Sequence, residues 1–294
     1  MIVTTTGLGS QRARGIIATS AQRFLFALPA LLSAVLVCSS HRSAVAAPIN
    51  YGSHTGTTVD YIDVTEEDTT GDALPLFGAP IFSADSVDFN PVGFDATASG
   101  AGGSDSTGSR LTFMVMSHAG NAINNISFQE AGQTTLSGSG SDATSAAVTA
   151  AGTLTVNEVD GAAIAPIVRP IALAFTPSGG DYFLTTDGGG LPLFHTSWTG
   201  SLAVNVAQIL TSEGVPFTLG ASKISIDLVN TLTAASEAGT SSLISKKDFG
   251  GISVAVNRPG GGGGPEIPEP SCLALGGLGL LGIVFGGRRG RTRA

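Results

Sequence analysis

The sequence predicts an all-β protein, an antiparallel β-sandwich of jelly-roll type, with an N-terminal signal helix and a C-terminal hydrophobic helix lying outside the sandwich. Three observations carry this expectation. Apolar residues recur at every second position between residues 47 and 258, as in Leu111, Phe113 and Val115 or Ile224, Ile226 and Leu228, the pattern of a pleated strand with one buried face. Turn-forming Gly, Asp and Asn clusters punctuate these runs at short intervals without a βαβ rhythm. Two charge-free apolar stretches sit apart from the alternating region, one near each end, and both are flanked by arginine.

The first apolar stretch reads as a signal peptide over residues 1–46. Arg12, Arg14 and Arg23 precede an apolar run from Phe24 to Cys38. Ala44-Val45-Ala46 then places small residues, Ala44 and Ala46, where a signal peptidase reads them. A retained membrane helix is the alternative, but 15 residues is short for a span. Val37 before Cys38 does not fit a lipid-attachment site, which needs a small residue there.

The body, residues 47–258, is expected to hold nine or ten short strands. Residues 47–80 are polar and turn-rich, with one edge strand around Val59–Val64, and an alternating segment follows at Ile81–Phe89. The Gly/Ser-rich stretch Ala98–Ser109 reads as a loop. Alternation resumes at Leu111–Met116, Ile123–Phe128 and Thr135-Leu136. Val148 to Val159 reads as a strand pair broken near Ala151-Gly152 and closed by the turn Asp160-Gly161, a pair that accepts positive φ. Further strands fall at Ile171–Phe175, Tyr182–Thr186, Phe194–Ile209, Lys223–Leu232 and Phe249–Asn257, with Ala203–Glu213 readable instead as a short helix. A partly open barrel is the alternative architecture. No repeat of fixed period is present.

Residues 259–267 form a linker, because Gly260–Gly264 have no side chains to bury and Pro265 cannot join a ladder. Beyond it lie Pro268-Glu269-Pro270, the charge-free run Cys272–Gly287, and Arg288, Arg289, Arg291 and Arg293. A 16-residue helix spans only about 24 Å, against a hydrocarbon core of about 30 Å. Such a helix thins the bilayer or borrows its flanks, and the arginines hold its end cytoplasmic. A plain single-pass anchor shows the same hydropathy.

These three parts, in this order over residues 268–294, resemble the PEP-CTERM sorting signal of bacterial envelope proteins. The resemblance implies recognition of Pro268, Glu269, Pro270, Arg288, Arg289 and Arg291 by an exosortase-type membrane protease that removes the helix. It also implies a cell-surface or secreted protein of a Gram-negative-type bacterium that makes exopolysaccharide. The cargo of that family is varied, so the signal addresses the protein without naming its activity. Ile126–Gly132 and Lys247–Gly251 are similar, more loosely, to segments of noncatalytic sandwich domains that carry such tails.

Composition narrows the function further. The two cysteines, Cys38 and Cys272, lie outside the body, so no disulfide or thiolate site is expected in it. About 210 residues can bury roughly 70% of their unfolded surface, enough for a core to hold the fold without staples. Residues 47–258 carry 20 acids and 6 bases, a net charge of −14, which repels nucleic acid and anionic polysaccharide unless divalent cations bridge them, so no nucleic-acid partner is expected. No G-x-S-x-G, H-E-x-x-H or P-loop occurs. Gly277–Gly282 fits G-x-G-x-x-G, but no strand precedes it.

The body's histidines, His54, His118 and His195, are far apart in the chain. Asp60, Asp63, Glu66, Glu67, Asp68 and Asp72 form the best candidate calcium cluster, yet their spacing departs from the known calcium loop and a solvated acidic face explains them as well. Trp198 reads as packing rather than as a sugar platform. The expectation is therefore a noncatalytic surface or matrix protein without cofactor, catalytic or metal residues. Its partners would be signal peptidase, an exosortase, the membrane before processing, and exopolysaccharide. A calcium-assisted carbohydrate-binding module and an envelope hydrolase are the alternatives.

Overall fold

The computed structural model describes residues 46–257. The signal segment (apart from Ala46), the linker and the C-terminal segment lie outside the described residues. Within them, 66% of residues are in strands. Fourteen strands form rather than nine or ten: β1 (Ile49–Thr55), β2 (Val59–Asp68), β3 (Pro80–Ser83), β4 (Ser86–Phe89), β5 (Asp95–Ser99), β6 (Gly103–Ser117), β7 (Ala122–Gly138), β8 (Ser145–Val159), β9 (Ala162–Ala172), β10 (Ala174–Thr176), β11 (Asp181–Phe183), β12 (Leu193–Asn205), β13 (Ala221–Ser236) and β14 (Thr240–Asn257). One helix, α1 (Val206–Ser212), follows β12.

Every pairing is antiparallel, and the ladders divide into two arms. The first runs β1-β2-β6-β13-β8-β9, with β11 on β8. The second runs β10-β12-β7-β14-β4-β3, with β5 also on β14. One backbone pair, Ala221 with Ile123, joins them at a corner. The arms face each other because each has one apolar face to bury. Tyr61, Leu111, Phe113, Leu154, Ile224 and Leu228 of the first arm share one core with Ile126, Phe128, Leu136, Trp198, Ile244 and Phe249 of the second. Alternation is strict along β7 from Ile126 to Leu136: Ile126, Phe128, Thr134 and Leu136 are buried while Ser127, Gln129, Gln133 and Thr135 face outward.

Several expected boundaries are corrected. The Gly/Ser-rich stretch 98–109 is the end of β5, a turn at Gly100 and Gly102 with φ 77° and 69°, and the start of β6, so the chain crosses there from the second arm to the first. Its Ser and Gly residues pair fully with β13, from Gly103 opposite Ser236 onward. Small residues here serve close packing rather than flexibility: a side chain on Gly108 would strike Thr69 and Thr70. β8 runs unbroken through Ala151-Gly152, because Gly152 lies against the Asp227 backbone with no room for a side chain. β14 begins at Thr240, nine residues ahead of the expected Phe249. The polar β1 went unanticipated, since an edge strand needs little apolar surface. At 203–213 both readings are partly right. β12 ends at Asn205, whose side chain accepts from the Gln208 N–H at 2.8 Å and caps α1.

The Asp160-Gly161 turn has positive φ at both residues, 50° and 78°, the type I′ geometry that matches strand twist. Its carboxylate accepts from the Thr218, Leu219 and Gly220 N–H groups at 2.6, 2.8 and 2.9 Å. These backbone donors hold the Asp160 carboxyl below its ordinary range. A depressed carboxyl stabilises the fold fully above its unfolded value, about pH 4, and loses that contribution as pH falls through the folded value. Asp160→Asn is expected to lower the melting temperature at neutral pH and to make the acid limb below about pH 4 shallower than in the wild type, measured by circular dichroism melts across pH.

Gly132 of β7 lies against the Ser245 carbonyl and the Trp198 ring, and an added methyl would collide with both. Gly132→Ala is expected to cost about 3 kcal/mol through overpacking. A urea titration checks this, and a midpoint equal to wild type would show that the Trp198 layer can shift.

Candidate functional site

The acidic cluster is taken apart by strand alternation. On β2, Glu66 and Asp68 point inward while Asp63 and Glu67 are on the solvent side. Glu66 is fully buried and receives four donors: the Leu76 and Phe77 N–H groups at 2.7 and 3.0 Å, the Ser109 hydroxyl at 3.0 Å and the Tyr51 hydroxyl at 2.6 Å. Burial first, then this bond to Glu66, raises the Tyr51 phenol above its usual value. Asp68 closes the loop after β2 by accepting from Thr70, Gly71 and Asp72 N–H groups. Glu67 pairs loosely with Arg110 at 3.7 Å, and Asp60 with His118 at 2.9 Å. Among the described residues, no group of three or more His, Cys, Asp or Glu is placed to hold a metal ion.

The three histidines stay apart. His54 stacks on Phe82 with ring centroids 4.1 Å apart. His118 meets Asp60, and His195 Nδ1 meets the Thr135 hydroxyl at 2.8 Å on the surface. A hollow of about 460 Å³ is lined by Ser104, Asp105, Ser106, Ser145, Thr233 and Ala235 with Ala234, and includes no histidine. Its Asp105 is occupied by the Thr97 and Ser106 N–H groups. Trp198 is buried edge-on against Phe175 at 5.9 Å, and Tyr61 and Tyr182 are buried too. None of these three rings offers a flat platform to a sugar.

What the second arm presents outward is a surface of hydroxyls and amides. His195, Ser197 and Ser201 of β12 stand opposite Thr135, Gln133 and Gln129 of β7. On the other flank of β7, Ser127 meets Ser253 at 2.6 Å and Ser137 meets Ser241 at 2.7 Å.

The interior holds a polar group that periodicity alone did not single out. Lys246 of β14 is completely enclosed. Its Nζ donates to Glu130 Oε2 of β7 at 2.5 Å and to Asn230 Oδ1 of β13 at 2.6 Å. The rings of Phe77, Phe94 and Phe249 surround the same nitrogen, with centroids at 5.2, 4.9 and 5.1 Å. Desolvation lowers the affinity of Lys246 for its proton, and desolvation raises that of Glu130, so each is pushed toward its neutral form. Glu130 Oε1 and Asn230 Nδ2 are buried with no hydrogen-bond partner. The signal in the sequence is positional: Glu130 follows Ile126 and Phe128, Asn230 follows Ile226 and Leu228, and Lys246 follows Ile244, each at the inward parity of its strand.

Beyond the folded body, residues 266–290 match the PEP-CTERM protein-sorting motif. That motif implies an exported protein sorted to the cell envelope by an exosortase, a membrane protease. No curated protein matches the chain. The motif residues Pro268, Glu269, Pro270, Arg288, Arg289 and Arg291 lie outside the described residues, as does Ala44, and Ala46 is the first residue described. No helix among the described residues is long and apolar enough to cross a membrane.

Neighbouring acids on β2 are expected to differ sharply. Glu66→Ala strands four donors inside the protein and should cost roughly 3 kcal/mol. Glu67→Ala removes one exposed ion pair and should cost under about 1 kcal/mol. Chemical denaturation of the two variants checks the contrast, and equal losses would contradict the buried anchoring role of Glu66.

Proposed function

We propose that the chain is a noncatalytic surface or matrix protein: a signal peptide over residues 1–46 exports it, the sandwich is the displayed part, and an exosortase cuts near Pro268-Glu269-Pro270 to release or re-attach it. The sorting motif at residues 266–290 is the observation that carries this reading. The body supports it in two ways. His118 is bonded to an acid and His195 to a hydroxyl, but neither contact joins an acid and a nucleophile on one ring as hydrolysis needs, and the hollow beside Asp105 is lined by no histidine. Its second arm turns a row of hydroxyl and amide side chains outward, a face able to exchange hydrogen bonds with a neutral, hydrated polymer such as exopolysaccharide. The net charge of −14 over residues 47–258 keeps such a protein soluble and away from nucleic acid.

Replacing Pro268, Glu269 and Pro270 by alanine is expected to leave the Cys272–Gly287 segment attached and the protein in the membrane fraction. The unaltered chain should lose that segment and appear at the surface or in the medium. Cell fractionation with mass spectrometry of both termini reads the difference, and identical processing of the two would count against the sorting role of the triplet. Turnover of a sugar or ester substrate by the purified body would overturn the noncatalytic reading.

A further inference from the structure

We propose that Lys246 and Asn230 become joined by an amide bond that links the two arms of the sandwich, with Glu130 carrying the proton. The three side chains come from three strands and two arms, and they converge where no water reaches. Lys246 Nζ lies 2.6 Å from Asn230 Oδ1, so the carboxamide carbon, one bond further, is at the range from which a nucleophile attacks. Glu130 Oε2 lies 2.5 Å from the same nitrogen, within reach of the proton that must leave it.

The chemistry needs a neutral amine and a carboxyl able to give and take a proton. The phenylalanine cage supplies both, since burial disfavours the ammonium and the carboxylate alike. The Nζ lone pair adds to Asn230 Cγ, and the carbonyl electrons move to oxygen. Glu130 takes a proton from Nζ and delivers it to Nδ2. The Cγ–Nδ2 bond breaks, ammonia leaves, and an Nζ–Cγ amide remains. The product is the folded chain minus one ammonia, with no oxidant, reductant or further reactant. Escape of ammonia into solvent makes the step effectively irreversible.

Two observations separate this from an ordinary buried ion pair. A Lys–Glu pair has no need of a carboxamide on the amine. Furthermore, the group the reaction expels, Asn230 Nδ2, is buried without a well-formed hydrogen bond, a costly arrangement that the reaction abolishes. The context fits as well. Residues 46–257 contain no cysteine, so no disulfide can staple the arms, and an amide is indifferent to the redox state outside the cell.

The test is a digest of the full, folded chain. Glu237 is the only acidic residue between Asn230 and Lys246. Cleavage after it should leave the two flanking peptides joined, with a summed mass lower by one ammonia, and fragmentation should place the branch at Lys246. Asn230→Ala and Glu130→Gln should instead give two separate peptides at full mass and melt lower by roughly 5–10 °C. The wild-type digest stands even if a variant fails to fold. Separate, full-mass wild-type peptides would overturn the cross-link, and a joined pair in Glu130→Gln would overturn the role given to Glu130.

Discussion

Taking a primary amine out of water costs several kcal/mol even after the protein relaxes, and the middle of this core encloses one. Lys246 can lie there because Glu130 and Asn230 are enclosed with it and accept from its nitrogen, while three phenylalanine rings pack around the same nitrogen and keep water away. The requirement is geometric as well as electrostatic. Asn230 belongs to one arm, while Glu130 and Lys246 belong to adjacent strands of the other. Slipping any of these strands by one residue would turn its polar group out to solvent and leave the others unpaired. An otherwise apolar interface, which tolerates small shifts, is thereby held to one register.

The rest of the architecture is consistent with that fixed point. β13 pairs along almost its whole length on both sides, with β6 and with β8, so the strand carrying Asn230 has little freedom. β14 is gripped by β7 on one side and by β4 and β5 on the other. Close approaches at Gly132 and Gly152 let neighbouring strands and the Trp198 ring settle at distances that a side chain would forbid. Glu66 repeats the same principle at the rim of the core: a charge enters only where four donors meet it.

Legibility followed the strength of the alternating signal. Leu111–Val115 and Ile224–Leu228 announced β6 and β13, and Asp160-Gly161 announced its turn, because period-two burial and positive φ leave direct marks on residue choice. β1, the start of β6 and the first half of β14 were hidden for one reason: their partners supply the packing, so their own residues are free to be Ser, Thr and Gly. The buried cluster was hidden differently. Glu130, Asn230 and Lys246 each occupy an apolar slot of a readable strand, but only the pairing of strands 16 to 116 residues apart reveals that the three slots coincide. The acidic run from Asp60 to Asp72 misled in the opposite sense. Nearness in sequence counted for little once alternation sent Glu66 and Asp68 inward and Asp63 and Glu67 outward.

The same separation applies to destination and body. The sorting motif covers residues 266–290, while the last strand of the sandwich ends at Asn257, so none of the motif's residues belongs to the described strands. The body is constrained instead by where it ends up. For an exported protein that unfolds irreversibly, survival depends on how rarely it opens. Without cysteines, a domain in that position has two recourses: a large apolar core, and a polar group buried so completely that opening the arms would strand it. In this fold the two coincide, since the residues that close the phenylalanine cluster are the ones that seal Lys246 from water.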